Sequence, residues 1–383
     1  MVRKTRYLDA IERPTYGGEG LPRCMDLKGA TWMVRTLDQR VSALFLTEEK
    51  CVLAGGWDGR LVSWDEGGTL RWSSQTSDRI NSIDFNGTTV VVASGLHIVA
   101  LDWQTGEQKW SRALEGSADE VRWWQGDIIA VSSVYDIEHN DFIESAVWRF
   151  TEDGGEVYVE RMDERPWVMV EVDDVLLAGL GRPQCGLLDI SSSPPFPHRP
   201  PPTSSPTTCG TSGRTRGLFG QTDGTVTTHD GDVLSTEEGS VEHVTCMFKG
   251  YVATTDEGLA VGRTETGEAC WSSNGAPVSA QVEAMHHGQS SMLWLARNNE
   301  KNSTLEVWAT DRSGMIASAP LSRVCSMAGH SERAVVGCED GTVLVWDREL
   351  LARRLSTGVI DSDAPMDERQ SALQAKLRAL RRQ

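Results

Sequence analysis

The chain has 383 residues, 39% hydrophobic and 24% charged, with 14 tryptophans, 37 glycines and a net charge of −18. That composition is globular and long enough for a sizeable core, and the negative field argues against nucleic acid as a partner. No apolar run is long enough for a membrane span, and the basic start MVRKTRYLDAIERP has no apolar stretch that would make it a secretory signal. Eight scattered cysteines without a CxxC pair read as reduced thiols, so a cytoplasmic location is expected.

Along the chain, residues 1–30 read as an N-terminal extension. TWMVRTL at 31–37 reads as a lone strand. From Val41 a pattern begins that returns from Ile80: a short β-rich strand, a turn, a second strand, a tight Gly turn, a third strand, then a Gly turn and a fourth strand ending in Trp. Weaker copies run from Glu120 to Met162 and from Trp167. Clear ones follow from Val241 and Ser322, with a further weaker copy from Pro277 to Pro320. The gap between 167 and 241 is about two repeat lengths, so one more unit should begin near 203. Eight units are expected, with seven as the alternative. A lone four-stranded sheet cannot bury both faces, whereas stacking the sheets in a closed ring can. The expected fold is therefore an all-β single propeller of four-stranded blades over 31–355, with 31–37 completing the last blade. A linker and a short helix follow over 356–383.

Two segments stand apart. Residues 191–216 hold seven of the 14 prolines and no Asp or Glu. Such a stretch is a poor strand former, since proline cannot donate to a ladder. It reads as a proline-rich insert, a plain surface loop, or a reading-frame slip that replaced a strand pair, and strands are expected to be missing between Ile190 and Leu218. The tail from Asp367 to Gln383 carries Leu373, Leu377 and Leu380 at helical spacing, with arginines at its end. It is expected to form a helix that packs on the ring, associates with a partner or a second copy, or binds a membrane surface.

The segment ALDWQTGEQKW carries a family resemblance. Ala100, Asp102, Gly106 and Trp110 match the A-x-D-x-x-x-G-x-x-x-W docking pattern of quinoprotein-like (PQQ-like repeat) propellers, while Gly329-His330 and Trp346-Asp347 of the last unit resemble a WD repeat. The resemblance implies the fold, with Trp110 docking on a neighbouring blade, and not an activity. The vicinal Cys-Cys pair of some quinoprotein dehydrogenases has no counterpart here, and no cofactor ligand is carried over.

No G-x-S-x-G elbow, P-loop or dinucleotide fingerprint is present, and His286-His287, adjacent on a strand, would point to opposite faces and not chelate. No catalytic residue, metal or cofactor is assigned. The turns between second and third strands are rich in Asp, Glu and Gly, which is turn chemistry and also the composition of an acidic rim. On that rim Trp57, Asp58, Tyr135, Asp136, His139 and Asp141 are the candidate partner-binding residues. The expected function is a non-catalytic protein-interaction scaffold. The alternative is an enzyme or small-ligand sensor with a site in the central channel.

Overall fold

The computed structural model describes residues 25–357, apart from 214–215, 288–289 and 310–313. It contains eight sheets of four antiparallel strands, seven of them running in chain order from an inner to an outer strand and the eighth completed by a strand from the chain's start. The inner strands are Val41–Leu46, Ile80–Phe85, Ser117–Trp124, Pro166–Val172, Thr207–Ser212, Val241–Met247, Val278–His287 and Val324–Gly329. They define blades 1 to 8. Each inner strand touches the next around the circle, and that of blade 8 touches that of blade 1. The ring therefore has the eight units of the primary expectation, not seven.

Burial explains which strands form where. The second strands Val52–Gly56, Thr89–Ser94, Gly250–Thr255 and Arg333–Cys338 are buried at every residue, because neighbouring blades cover both faces. The outer strands, such as Leu70–Gln75 and Gln108–Ala113, bury little beyond their third residue. That third residue is the device that joins blades. In blade 1 it is Trp72, whose ring lies where a Cβ on Gly106 would stand, and whose indole N–H donates to the Trp103 carbonyl at 2.9 Å. In blade 2 it is Trp110, seated on Gly154 and bonded to the Glu152 carbonyl at 2.9 Å. Both glycines have positive φ, 73° and 81°, so the turn and the close approach each exclude a side chain.

The other junctions vary this theme. Tyr158 of blade 3 packs edge-on against Phe196 and donates to the Ser192 carbonyl. Leu234 of blade 5 lies against Gly267, and Trp271 of blade 6 stacks on Trp308 at 5.2 Å. Asp102 of the docking motif accepts the N–H groups of Gln104 and Thr105, fixing the turn that presents Gly106. Ala100 is buried opposite Trp110. Within one motif the glycine thus receives the preceding blade and the tryptophan docks on the following one.

The ring closes between chain ends. Met33–Thr36 pairs antiparallel with Thr342–Val345 as the outer strand of blade 8, which is the latch expected of 31–37. Met33 takes the docking position, against Gly68 of blade 1. The Arg333 guanidinium lies 4.2 Å from the Trp32 ring and donates to the carbonyls of Lys50 and Glu66. Met25–Asp26 adds a parallel fifth strand to blade 7, and the Leu27 carbonyl accepts the Trp346 indole. Helix Arg348–Thr357 follows, with Leu351 buried in the same cluster as Leu27. The helix expected from Asp367 onward lies outside the described residues.

The expectation for 191–216 is corrected. Strands are not missing there: Thr207–Ser212 is the inner strand of blade 5, paired with Gly217–Gln221, and His198–Arg199 forms a two-residue outer strand of blade 4. The prolines end at Pro206, so the strand that follows has every N–H it needs, and an inner strand requires a ladder on one side only. What the prolines do remove is most of blade 4's outer edge. There Arg199, donating to the His229 carbonyl at 3.2 Å, makes the link to blade 5.

Two outcomes follow for stability. Trp110→Ala should lower the unfolding free energy by roughly 3–5 kcal/mol in a denaturant titration, the scale of a large core truncation. A loss under about 1 kcal/mol would show that the docking contact is incidental. In hydrogen exchange, amides of 208–212 and 217–221 should be protected like their neighbours, with fast exchange confined to 191–206. Fast exchange across 207–212 would reinstate the gap.

Candidate functional site

Each inner strand has a bulge near its start, which re-aims one extra side chain. The extra residues are Ser42, Asn81, Asp119, Trp167, Thr208, Glu242, Ser279 and Cys325. Several stitch blades together: Ser42 donates to the Ile80 carbonyl at 2.6 Å, Asn81 to Ala118 at 2.7 Å and Ser279 to Val324 at 3.1 Å. Thr208 likewise donates to the Val241 carbonyl. Blade 4 departs from this polar set with Trp167, whose surface is 45% exposed.

Trp167 belongs to a stacked wedge. The Arg165 guanidinium lies 3.7 Å from the Phe142 ring and 4.1 Å from the Trp167 ring. Phe142 and Trp167 meet edge-on at 5.8 Å, and Tyr135 packs on Phe142 at 5.1 Å. Asp119 holds Arg165 from below at 3.4 Å and accepts the Ser133 hydroxyl. Tyr135 and Phe142 stand on a hairpin of two ten-residue strands, Asp127–Asp136 and Asp141–Phe150, twice the length of the corresponding five-residue strands of blade 1 and longer than the nine- and eight-residue pair of blade 7. Phe142, Arg165 and Trp167 form a wall shared by two cavities: one of about 760 Å³ at the channel mouth and one of about 740 Å³ over blades 3 to 6.

No protein-family model matches the sequence, and no curated protein matches it. Solved structures do match. BamB from Moraxella catarrhalis superposes with a TM-score of 0.65 at 17% identity, covering 83% of this chain and 97% of that one. Sqt1 from Saccharomyces cerevisiae gives 0.63 at 10% identity, covering 83% and 98%. The computationally designed Ika8 protein gives 0.62 at 17% identity, covering 82% and 98%. The chain has the fold of the PQQ-like-repeat and WD40 propellers. At these identities the likeness is one of fold alone.

All six candidate residues of the propeller's rim lie where second and third strands join, and those turns share one end of the ring. Trp57 is exposed between two guanidinium groups, Arg40 at 4.6 Å and Arg79 at 4.7 Å. Asp58 caps its own turn by accepting the Arg60 N–H at 3.0 Å. Tyr135 donates to Asn140, Asp136 pairs with His139 at 2.6 Å, and Asp141 accepts the N–H of Phe142. The first two sit on blade 1 and the other four on blade 3. Arginines are interleaved with the carboxylates, so this part of the rim is aromatic and zwitterionic more than acidic. Phe142, Arg165 and Trp167 were missed in the sequence. Only Trp167 carried a signal: at the bulge position it is the one aromatic residue among eight aligned blades.

Deeper in the channel Arg122 pairs with Glu120 at 2.8 Å, Glu120 accepts the Met169 N–H, and Asp84 accepts the Trp123 N–H. Burial pushes the Asp84 and Glu120 carboxyls above their usual range, against the pull of Arg122. Burial also pushes the Cys209 and Cys246 thiols up to about 12, so neither supplies a thiolate near neutral pH. Among the described residues no group of three or more His, Cys, Asp and Glu is placed to hold a metal. The His286 and His287 side chains lie outside that description.

A carboxyl raised in the folded state stabilises the fold below its unfolded pKa, and that contribution is lost as pH rises through the folded value. The stability of Asp84→Asn relative to the wild type should therefore improve as pH rises from about 4 to about 7, read as the shift between their urea midpoints. A difference that stays constant with pH would show that burial does not govern Asp84.

Proposed function

We propose that this propeller is a non-catalytic protein-interaction scaffold whose partner binds on the rim of blades 1 to 4. The observation that carries the reading is the placement of exposed apolar side chains. Of eleven exposed large hydrophobic residues among the described ones, six stand on that rim: Trp57, Leu96, Tyr135, Ile137, Ile143 and Trp167. The remaining five stand on outer strands, Val34 and Leu70 beside a common cavity and Val157, Val233 and Met315 apart from one another. Single exposed apolar residues are normal on any surface, whereas a cluster of aromatics braced by arginines has the make-up of a binding hot spot. Among the described residues, no helix is long and apolar enough to cross a membrane. A cytoplasmic location goes with this reading, since seven described cysteines are free thiols.

A small ligand in the channel is the second reading. It is favoured by the 760 Å³ cavity at the mouth, a volume typical of ligand pockets. Native mass spectrometry of the purified chain separates the two, since a retained small molecule would favour the channel.

The rim reading is tested by quantitative co-purification with two triple variants of unchanged circular dichroism. Trp57→Ala/Tyr135→Ala/Trp167→Ala should lose specific partners by at least about tenfold. Leu70→Ala/Val157→Ala/Val233→Ala should retain them. Equal recovery by both variants would move the partner surface elsewhere.

A further inference from the structure

We propose that the cavity over blades 3 to 6 receives a short basic segment of a partner protein, one that carries an apolar side chain beside an arginine or lysine. This rests on the scaffold reading and names the chemistry the rim selects.

The cavity's apolar surface comes from Phe142, Ile143, Trp167, Pro183 and Pro206, contributed by three consecutive blades. At about 740 Å³ it holds a few side chains, not a folded domain. Its anchor is already ordered: the Arg165 guanidinium sits against both Phe142 and Trp167, and Asp119 holds it there. Binding therefore spends little conformational entropy on the rings.

Charge selects the occupant. Asp141, Asp163 and Glu242 line this cavity, and none of them makes an ion pair among the described residues. Against them stand Arg182 and Arg165, and the charge of Arg165 is already matched by Asp119. The neighbouring cavity at the channel mouth differs, because Asp78, Asp119 and Glu120 there balance Arg79, Arg122 and Arg165. A cation beside an apolar group thus complements the first cavity and gains nothing in the second.

The probe is a synthetic nonapeptide of alternating arginine and leucine, capped at both ends and followed by fluorescence anisotropy with the full chain. It should bind the wild type and weaken with added salt. Its affinity should fall at least about tenfold in Trp167→Ala, and again in Asp163→Asn/Glu242→Gln. Leu70→Ala should match the wild type, which controls for attraction to the chain's overall charge. A peptide with glutamate in place of arginine should not bind. Absence of binding by the basic peptide, equal binding of the glutamate peptide, or unchanged affinity in both cavity variants would each overturn the proposal. Displacement by spermidine as readily as by unlabelled peptide would assign the site to a free polyamine and overturn the partner-segment reading. Should the rim recover a partner while the basic peptide fails, the scaffold reading stands and this one falls.

Discussion

The ring depends on one recurring contact, an outer-strand residue seated near the end of the next blade's third strand, in its full form a side chain on a glycine turn. Trp72 on Gly106 and Trp110 on Gly154 are its full form, each combining a buried ring with an indole hydrogen bond to a turn carbonyl. A four-stranded sheet alone exposes two faces, and the contact converts that liability into a chain of interfaces. Since each blade holds only its neighbours, the ring is as strong as its least complete junction. Two junctions need special solutions. Between blades 4 and 5 an arginine stands in for the aromatic, and between blades 8 and 1 the chain's own start supplies both the strand and Met33.

A closed ring in turn fixes what its loops can do. The turns between second and third strands gather at one end, where Asp58, Asp223 and Asp340 each accept the N–H two residues on and hold the turn rigid. These carboxylates serve the scaffold. The proposed recognition draws on side chains that break the repeat, above all Trp167 at a bulge where the other blades carry smaller or polar groups. The long hairpin of blade 3 then leans its Tyr135 and Phe142 toward it, and Arg165 fills the space between the rings.

Much of the fold was legible because its signals are local. Glycine turns, period-two strands and Trp110 four residues after Gly106 give both the repeat and the docking direction. The latch at 31–37 was legible by elimination, since a lone strand before the first unit has one place to go. The inner strand of blade 5 was not legible. TTCGTS has neither the aromatic nor the branched aliphatic pattern of a strand, and it follows a run of prolines. The ring imposes that strand by supplying Val170, Phe219 and Val241 around it. Nor could sequence bring Phe142, Arg165 and Trp167 together, because their contact depends on how far one hairpin rises over the next blade. Of the six candidate residues, Trp57 and Tyr135 do stand exposed on the rim, while Asp58 and Asp136 are engaged in turn and ion-pair contacts.

The ring's dependence on closure is most directly tested by deleting residues 1–37 and measuring hydrogen exchange across the whole chain. The account predicts that Thr342–Asp347, deprived of its outer partner, loses protection together with the faces of blades 8 and 1 that meet there, and that a single unfolding transition gives way to a broader one at lower denaturant. Unchanged protection of that strand and an unshifted, single transition would contradict it.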